Sequence, residues 1–430
     1  MTPSPGTVII GGGQAGHQLA MSLRDGGDDR PITMVEAEGR LPYQRPPLSK
    51  DYLLADADDA LDLAFVADRD YAEHNVHYLS GARALSIDRV RQEVELDSTQ
   101  LLPYEHLVLA TGARARTLMV PGATLTGVHT LRSLEDAQRL RSMLSQVTSV
   151  VVVGAGFIGL EFATCAVRLG HRVTVLERSD RILRRSLSEP TAEFLTRRHA
   201  AQGVTIMTRA SVAELVGCRG KVSGVRLDSG ELLPAELVVA GVGIEPNDEL
   251  AAAARLKVDD GIVVDEMLRT SDPAIFAIGD VASFRTGFTP GSGRVESVQN
   301  AVDQARSVAR TLLGYPTPYA DLPWFWTQQA GHLVQIAGIG TGSNAVYVRP
   351  SDDPDRFSTF CYRSGRLVAI ESVGQPRTHM QARRLLSAGI SIPPDCVTAE
   401  DLDLAREIDA ATALRPMPAG LGPREGAVPG

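Results

Sequence analysis

Residues Val8–Gly16 read VIIGGGQAG and residues Val151–Gly159 read VVVGAGFIG, and these two stretches decide the fold. In each stretch an apolar run precedes the spacing G-x-G-x-x-G and a helical pattern follows it, which predicts a strand, a tight turn and a helix. About 23 to 25 residues after its first glycine, each unit reaches a glutamate, Glu36 or Glu177, at the tip of a second apolar run. The sequence therefore predicts two Rossmann-type βαβ units and two nucleotide-shaped sites.

The residues of each loop suit a dinucleotide. Glycines allow the backbone to approach a pyrophosphate, whose charge lies at the helix N-terminus, and the glutamate accepts hydrogen bonds from ribose hydroxyls. The alternative for both loops is a tight turn without a ligand. We expect the helices to run from Gln14 to about Arg24 and as far as Leu169, with Gly170 as the stop. The candidate residues are Gly11, Gly13, Gln14, Ala15, Gly16 and Glu36 in the first unit, and Gly154, Gly156, Phe157, Ile158, Gly159 and Glu177 in the second.

Length and composition exclude several classes of protein. A chain of 430 residues with 43% hydrophobic and 22% charged residues is long enough for two or three globular domains, which excludes disordered and fibrous proteins. The net charge of -9 disfavours binding of nucleic acid through bulk electrostatics. No apolar run of about 18 residues and no signal peptide is visible. We therefore expect a cytoplasmic protein without a membrane anchor.

The cysteines and histidines do not suggest a metal site. Cys165, Cys218, Cys361 and Cys396 are far apart, so we interpret each as a small buried hydrophobic residue. His74 and His77 lie three residues apart, but the motif H-E-x-x-H is not present around them. We therefore predict no bound metal.

Three further segments fit the first nucleotide site. The segment Tyr104–Gly112 reads as a strand that ends in small residues, which let a cofactor approach closely. Thr270–Asp280 reads as a strand that ends in a carboxylate suited to a polyol hydroxyl, with a helix cap as the alternative role for Asp280. Gly241–Asn247 reads as a strand followed by a proline turn, which is typical of a hinge between domains.

The order of these motifs resembles the glutathione-reductase-like class of flavoproteins. The segments PYQRPPLSK (Pro42–Lys50), RVESVQNAVDQAR (Arg294–Arg306) and PWFWTQQ (Pro323–Gln329) resemble, more closely, the FAD-dependent ferredoxin reductases of the putidaredoxin reductase type. The resemblance implies an α/β fold with two Rossmann-like domains, the NAD domain inserted in the FAD domain, and a small α+β C-terminal domain. The implied divisions are 1–113 with 248–322 for FAD, 114–247 for NAD, 323–405 for the C-terminal domain, and 406–430 as a flexible tail.

The resemblance also implies the cofactors, which are non-covalent FAD and NADH. Arg45 would contact the pyrophosphate or adenosine side of FAD. The implied FAD residues are Gly11, Gly13, Gln14, Ala15, Gly16, Glu36, Arg45, Lys50, Ala84, Ala110, Thr111, Gly112, Arg132, Gly279, Asp280, Val298 and Trp326. The implied NAD residues are Gly154, Gly156, Phe157, Ile158, Gly159, Glu177, Arg178 and Gly243.

Lys50, Glu161 and Trp326 are the implied catalytic residues. By resemblance Lys50 lies near the flavin and pairs with Glu161; the alternatives are a surface lysine and an acid that complements a helix N-terminus. If residues 324–326 are extended, Trp324 and Trp326 lie on one face about 6.6 Å apart, with Phe325 opposite. A core aromatic pair is the alternative for the tryptophans.

The implied function is electron transfer from NADH to a 2Fe-2S ferredoxin that serves a haem monooxygenase or a Rieske dioxygenase. The stretch PPLSK holds no cysteine, which disfavours disulfide reductases and the NADH oxidases and peroxidases that use a cysteine. A redox-controlled interaction protein, as in the apoptosis-inducing-factor lineage, is a third hypothesis. We expect a monomer or weak dimer. Thr327, Gln328 and Gln329 depart from the family's Ser-Asp-Gln, which removes a carboxylate near the electron exit.

The last third of the chain predicts a docking helix and a small domain. Arg306 and Arg310 lie four residues apart on a helix from about Val298 to Leu313, and their stripe is either a ferredoxin-docking site or a solvated face. Apolar runs after Trp326 predict a small antiparallel sheet, followed by a helix over HMQARRLLSAG (residues 379–389). The stretch LRPMPAGLGPREGAVPG at the end of the chain is typical of a flexible tail.

Overall fold

The computed structural model describes residues 5–55, 61–288, 291–399 and 402–413. Its strands are β1 (Gly6–Ile10), β2 (Ile32–Glu36), β3 (Val76–Ser80), β4 (Ala84–Asp88), β5 (Glu93–Leu96), β6 (Leu101–Leu109), β7 (Ala113–Ala115), β8 (Val128–Thr130), β9 (Ser149–Val153), β10 (Arg172–Glu177), β11 (Thr205–Thr208), β12 (Val212–Cys218), β13 (Lys221–Leu227), β14 (Leu232–Pro234), β15 (Leu237–Ala240), β16 (Ile244–Pro246), β17 (Ile262–Val263), β18 (Ile275–Ala277), β19 (Ala282–Arg285), β20 (Ser292–Gly293), β21 (Trp324–Gln329), β22 (His332–Gly338), β23 (Ala345–Pro350), β24 (Phe357–Arg363) and β25 (Arg366–Val373).

The helices connect these strands. They are α1 (Gln14–Asp25), α2 (Asp51–Leu54), α3 (Asp68–Glu73), α4 (Leu134–Leu144), α5 (Phe157–Arg168), α6 (Glu189–Ala201), α7 (Glu249–Ala253), α8 (Val298–Leu312), α9 (Pro376–Ser387), α10 (Pro394–Val397) and α11 (Leu404–Ala413). Short 3-10 helices span Pro46–Ser49 and Gly279–Val281. Among the described residues, no helix combines the length and the apolar character needed to cross a bilayer.

Both predicted βαβ units are present. In the first sheet β1 lies between β2 and β6, and all three strands are parallel, as is β3 beyond β2. In the second sheet β9 lies between β10 and β15 in the parallel order β11-β10-β9-β15-β8. The central strands β1 and β9 are fully buried, as expected of strands covered on both faces.

The chain leaves the first sheet and returns to it. After β6 it builds the second sheet, and β18 then pairs with β6 in parallel. The two crossings lie side by side, because β7 pairs with β16 in antiparallel orientation. Pro246 is the last residue of β16 and is paired with Ala113, so this proline belongs to the strand and the predicted proline turn after the strand is wrong. The insertion of one Rossmann-like unit into the other agrees with the predicted fold class.

The C-terminal region forms an antiparallel sheet in the order β21-β22-β25-β24-β23, with α9 packed on β22 and β25. Helix α9 begins at Pro376, three residues before the predicted start, because this proline occupies the first turn, where a missing N–H costs nothing. Residues 406–413, predicted as tail, lie in α11, because Leu404 and Ile408 pack on the same cluster as α9. The Pro/Gly-rich stretch from residue 414 lies outside the described residues. The domain boundaries stay a prediction.

Candidate functional site

A cavity of about 1080 Å³ lies between the first sheet, the second sheet and β21. Its volume slightly exceeds the ~300–1,000 Å³ that small-molecule sites usually occupy, which suits a ligand as large as a dinucleotide. Its wall contains almost every residue predicted for the first site: Gly11, Gly13, Gln14, Ala15, Glu36, Arg45, Lys50, Ala84, Ala110, Thr111, Gly112, Arg132, Gly279, Asp280, Val298 and Trp326. Gly16 is not in the wall. It serves close packing instead, since a Cβ there would lie 1.9 Å from the carbonyl oxygen of Gly11.

The glycine loop gives the cavity an open backbone edge. Gly11 has φ +110°, and a Cβ on it would meet the carbonyl oxygen of Ala110 at 2.2 Å, so only glycine fits. A Cβ at Gly13 would meet nothing within 4 Å. Helix α1 starts directly after Gly13 without a capping side chain. Its first N–H groups and its dipole are therefore available to an anion such as a pyrophosphate.

Both glutamates at the strand tips close back onto their glycine loops. Glu36 accepts hydrogen bonds from the backbone N–H of Gly12 at 2.5 Å and of Glu38 at 3.0 Å. Glu177 accepts from the N–H of Ala155 at 3.0 Å and of Ser179 at 2.7 Å. The two units thus present a carboxylate in the same local geometry, next to the loop where a ribose would lie.

Asp280 lies on the 3-10 helix after β18 and forms an ion pair with Arg132. The carboxylate is 2.7 Å from the guanidinium, and its side chain is 17% exposed. Residue Ile278 occupies the N-cap position of this helix, so the alternative role of Asp280 as a cap is wrong. Arg132 fixes the carboxylate at the cavity wall while one edge stays open to a ligand.

Arg45 is held by protein partners at the cavity wall. Its guanidinium contacts Glu38 at 2.5 Å and the carbonyl oxygen of Arg132 at 3.1 Å. Burial opposes the charge of Glu38, but the charges of Arg45 and Arg132 and the hydrogen bonds from Tyr43 and Arg45 together outweigh it, so the pKa of that carboxyl is lowered. The predicted contact of Arg45 with the pyrophosphate or adenosine side of FAD stays a prediction.

Lys50 and Glu161 form the predicted ion pair, with 2.6 Å between Nζ and Oε2. The same oxygen accepts a hydrogen bond from Ser49 at 2.6 Å, and the other oxygen accepts one from Thr327, also at 2.6 Å. Glu161 is almost fully buried, and Lys50 is 24% exposed at the cavity. Both alternatives, a surface lysine and a helix-terminal acid, are therefore wrong.

The two tryptophans lie on one face of β21, as predicted, with their ring centroids 5.8 Å apart. Trp326 lines the cavity. The ring of Trp324 packs beside His379, with 5.6 Å between the ring centroids, and the guanidinium carbon of Arg383 lies 3.9 Å from the centroid of the Trp324 ring. Phe325 packs on Phe157, with 4.6 Å between the ring centroids. Both tryptophans are only half-buried, so the alternative of a core aromatic pair is wrong.

The residues predicted for the second site divide into two groups. Phe157 and Ile158, at the start of α5, line the large cavity together with Glu161. The remaining residues are not part of its wall: Gly154, Gly156, Gly159, Glu177, Arg178 and Gly243. The loop around Gly154 repeats the geometry of the first loop, with φ +101° and no capping side chain at the start of α5. The second site therefore adjoins the cavity through the first turn of α5.

Residues 6–305 match the family model described as pyridine nucleotide-disulphide oxidoreductase, and residues 324–408 match the model described as reductase C-terminal. The chain belongs to the pyridine nucleotide-disulphide oxidoreductase family. Rhodocoxin reductase from Rhodococcus erythropolis is 45% identical over 92% of this chain and 93% of its own.

Solved structures of similar proteins agree with this family assignment. A ferredoxin reductase for the CYP199A2 system from Rhodopseudomonas palustris has a TM-score of 0.90 at 42% identity, covering 93% of this chain and 99% of its own. The covalent putidaredoxin reductase–putidaredoxin complex has a TM-score of 0.90 at 36% identity, covering 96% of this chain and 100% of its own. The chain is thus an oxidoreductase with FAD and a nicotinamide dinucleotide as its cofactors, and it is similar over almost its whole length to ferredoxin reductases of the class that the sequence resembles.

The cavity of the reductase fits FAD. The open loop at Gly13 and the uncapped start of α1 suit the pyrophosphate, Glu36 suits a ribose, and Asp280 suits the polyol chain. Sequence reasoning missed several wall and support residues, namely Ser49, Asn247, Glu296 and Ser297 in the wall and Thr327 behind Glu161. Most lie inside the quoted motifs PYQRPPLSK, RVESVQNAVDQAR and PWFWTQQ, which is the signal that was available.

Asp280→Ala is expected to weaken FAD retention about tenfold or more, because a hydrogen bond to a charged group contributes about 1.5–3 kcal/mol. Flavin absorbance that co-elutes with protein on gel filtration measures this. Asp272→Ala is the matched control, since Asp272 pairs with Arg89 at the same 2.7 Å and is 16% exposed, outside the cavity. Equal flavin retention by the Asp280→Ala variant and the parent would contradict the assignment to the polyol.

NADH is expected to be preferred over NADPH by about tenfold or more in kcat/KM, because Glu177 accepts from a 2′-hydroxyl and repels a 2′-phosphate. The exposed Arg178 can reach a phosphate and limits the ratio. Glu177→Gln should therefore narrow the preference, and Arg178→Ala should widen it. Equal kcat/KM values for the two coenzymes would contradict the role of Glu177 in selecting the 2′-hydroxyl.

Proposed function

We propose that the reductase takes a hydride from NADH onto FAD and passes single electrons to a small 2Fe-2S ferredoxin that feeds a haem monooxygenase or a Rieske dioxygenase. One observation carries the proposal. A single cavity is lined by the Lys50–Glu161 ion pair, by the start of the second glycine-loop helix and by Trp326. The residues for hydride entry and for electron exit therefore share one chamber.

FAD, when bound, accepts an electron pair as hydride and releases electrons one at a time, as an iron–sulfur cluster requires. The ammonium of Lys50 supplies a fixed positive charge at the cavity wall, and Glu161 holds that charge in place. Phe157 and Ile158 form the part of the wall shared with the second glycine loop, where a nicotinamide would enter. Glu177 orients the adenosine ribose.

Direct electron exit is favoured over a thiol relay. The sulfur of Cys165 lies 3.4 Å from the carbonyl oxygen of Ser49, directly behind the PPLSK segment. Burial raises the pKa of Cys165 to about 11, so this thiol stays protonated and unreactive at neutral pH. Trp326 offers an aromatic wall between the cavity and the outside. A haem monooxygenase as final acceptor is supported by the similar reductase of the CYP199A2 system.

A cytoplasmic location and a monomer or weak dimer belong to the same proposal. Cys165, Cys218, Cys361 and Cys396 are all free thiols, which suits a reducing compartment. Cys165 and Cys361 are buried as predicted, whereas Cys218 and Cys396 are exposed, so the prediction of a buried residue is wrong for these two. Light scattering during gel filtration tests the oligomeric state.

Stopped-flow mixing of the NADH-reduced enzyme with ferredoxins of the source organism tests the function. We expect fast one-electron reduction of at least one ferredoxin and slow reaction with dioxygen. Equally fast consumption of NADH with dioxygen or peroxide alone would instead favour an oxidase or peroxidase. Slow transfer to every acceptor would favour a redox-controlled interaction protein.

A further inference from the structure

Glu161 is the end of a buried chain of hydrogen bonds that leads away from the cavity. Its Oε1 accepts from the hydroxyl of Thr327 at 2.6 Å, and Thr327 accepts from Nε2 of Gln329 at 2.9 Å. The side-chain oxygen of Gln329 contacts Nε2 of His199 at 3.0 Å. Thr327, Gln329 and His199 are each at most 1% exposed. The chain is therefore shielded from water along its length.

The chemistry of the groups fixes the direction of this chain. A carboxylate accepts only, so Thr327 must donate its single hydroxyl proton to Glu161. Gln329 then donates from Nε2, with its second proton on the carbonyl oxygen of Phe157 at 3.2 Å. Its side-chain oxygen accepts from Nε2–H of His199, whose pKa burial lowers to about 4, so the ring is neutral at neutral pH. This arrangement of protons gives every group between Glu161 and Nε2 of His199 a partner, and Nδ1 of His199 lies 3.3 Å from the hydroxyl of Thr164.

The same chain joins elements that carry the two halves of the proposed reaction. Glu161 lies on α5, Ser49 and Lys50 lie at the end of the PPLSK segment, and His199 lies on α6. Thr327 directly follows Trp326 on β21, and their side chains point to opposite faces of the strand. A hydrogen bond from Thr327 to Glu161 therefore connects the Lys50–Glu161 pair to the strand that carries Trp326.

The missing family carboxylate and the chain of hydrogen bonds involve different residues of the segment Thr327–Gln329. Gln328, where the family carboxylate is missing, is exposed and outside the chain, whereas Thr327 and Gln329 form its links. We propose that Thr327 and Gln329 are positioning residues that hold the Glu161 carboxylate, and through it the Lys50 ammonium, at the hydride-entry side of the cavity. The proposal rests on the proposed function in one respect, because it assigns hydride entry to the Lys50 side.

Thr327→Val is the principal test, since valine keeps the shape and removes the donor. We expect reduction of the bound FAD by NADH to slow about tenfold, with an unchanged Kd for NADH, and Thr327→Ser to restore the rate. Thr7→Val is the matched control: Thr7 is 1% exposed and, among the described residues, its hydroxyl has no hydrogen-bond partner. A Thr327→Val enzyme that is reduced at the parental rate would overturn the proposal.

The second readout does not depend on activity. In a double-mutant cycle of holoenzymes with Glu161→Gln, the shifts in the denaturant midpoint from Thr327→Val should be non-additive, because the two substitutions remove the same hydrogen bond. Gln329→Met should slow flavin reduction by a smaller factor than Thr327→Val does. In the Glu161→Gln background it should cause no further slowing. This variant serves also if Thr327→Val does not fold. Additive midpoint shifts would show that Thr327 does not act through Glu161.

Failure of the proposed function would look different. If the parent enzyme reduces no ferredoxin but Thr327→Val still slows flavin reduction and couples to Glu161, the positioning role stands and the acceptor is wrong. If ferredoxin reduction is fast and Thr327→Val is indistinguishable from Thr7→Val, the function stands and the positioning role is wrong.

Discussion

Lys50→Met is expected to slow the reduction of bound FAD by NADH about 10²-fold, and Glu161→Gln about tenfold. The larger factor is the order of magnitude lost when one preorganised charge or donor at a reacting centre is removed. Methionine keeps the unbranched apolar stem of the side chain and lacks only the terminal ammonium, so the loss is one of charge. The smaller factor for Glu161→Gln arises because one amide oxygen can still accept from Ser49 and Lys50, which both contact Oε2, while Lys50 loses its counter-charge and Thr327 loses its acceptor at Oε1.

The two substitutions should be strongly non-additive. Lys50→Met alone leaves a carboxylate that is 3% exposed without its cation, and the loss of one partner from a buried pair costs about 3–5 kcal/mol. Glu161→Gln in the same molecule removes that unpaired charge. The double variant should therefore be no slower than Lys50→Met.

Stopped-flow absorbance of the flavin under anaerobic conditions measures all four rates of this cycle. Lys257→Met is the matched control, because Lys257 is exposed on the loop before β17 and does not line the cavity. Full additivity of the two effects would show that the 2.6 Å contact carries no energy in the reaction.

The glycine loops were predictable because their constraints are local. The φ of Gly11 and the close approach to Ala110 follow from a tight turn between a buried strand and a helix, and the spacing of the glycines encodes that turn. Glu36 and Glu177 follow from the same local rule, since each lies one βαβ unit further along the chain. The Lys50–Glu161 pair, by contrast, was implied only by resemblance.

The partners of Glu161 were not predictable in the same way. Thr327 lies 166 residues from Glu161 in sequence, and Ser49 lies 112 residues away. A threonine on a strand reads as an ordinary β-branched residue, and only the packing of β21 against α5 brings its hydroxyl to a carboxylate. The prediction of a flexible tail over residues 406–413 was wrong for a related reason, because the helix α11 depends on a tertiary contact with α9.

Arg306→Glu combined with Arg310→Glu is expected to raise the KM for ferredoxin about tenfold or more at low ionic strength. Both side chains are exposed on α8, and Arg310 also donates to Thr317 at 2.7 Å. The reductase has a net charge of -9, and we expect its ferredoxin to be acidic, so the overall charges oppose the encounter. A productive complex then needs a local positive patch that acts within the Debye length of ~8 Å at physiological salt.

The salt dependence separates docking from electron transfer. The ratio of KM values between variant and parent should grow as salt is lowered, because screening hides the reversed charges at high ionic strength. Reduction of the flavin by NADH should not change, since neither arginine lines the cavity. Trp326→Ala should instead alter electron transfer or flavin stability with little dependence on salt, because an indole carries no net charge.

A matched control excludes a general effect of net charge. Arg219→Glu with Lys221→Glu makes the same change in total charge at the exposed hairpin between β12 and β13, away from β21. If steering is local, this variant should keep the parental KM, because charges beyond a Debye length are screened. An equal rise in KM for both double variants would mean that bulk repulsion alone governs the encounter. An unchanged KM for the Arg306→Glu/Arg310→Glu enzyme at low ionic strength would mean that α8 presents an ordinary solvated face and that the ferredoxin docks elsewhere.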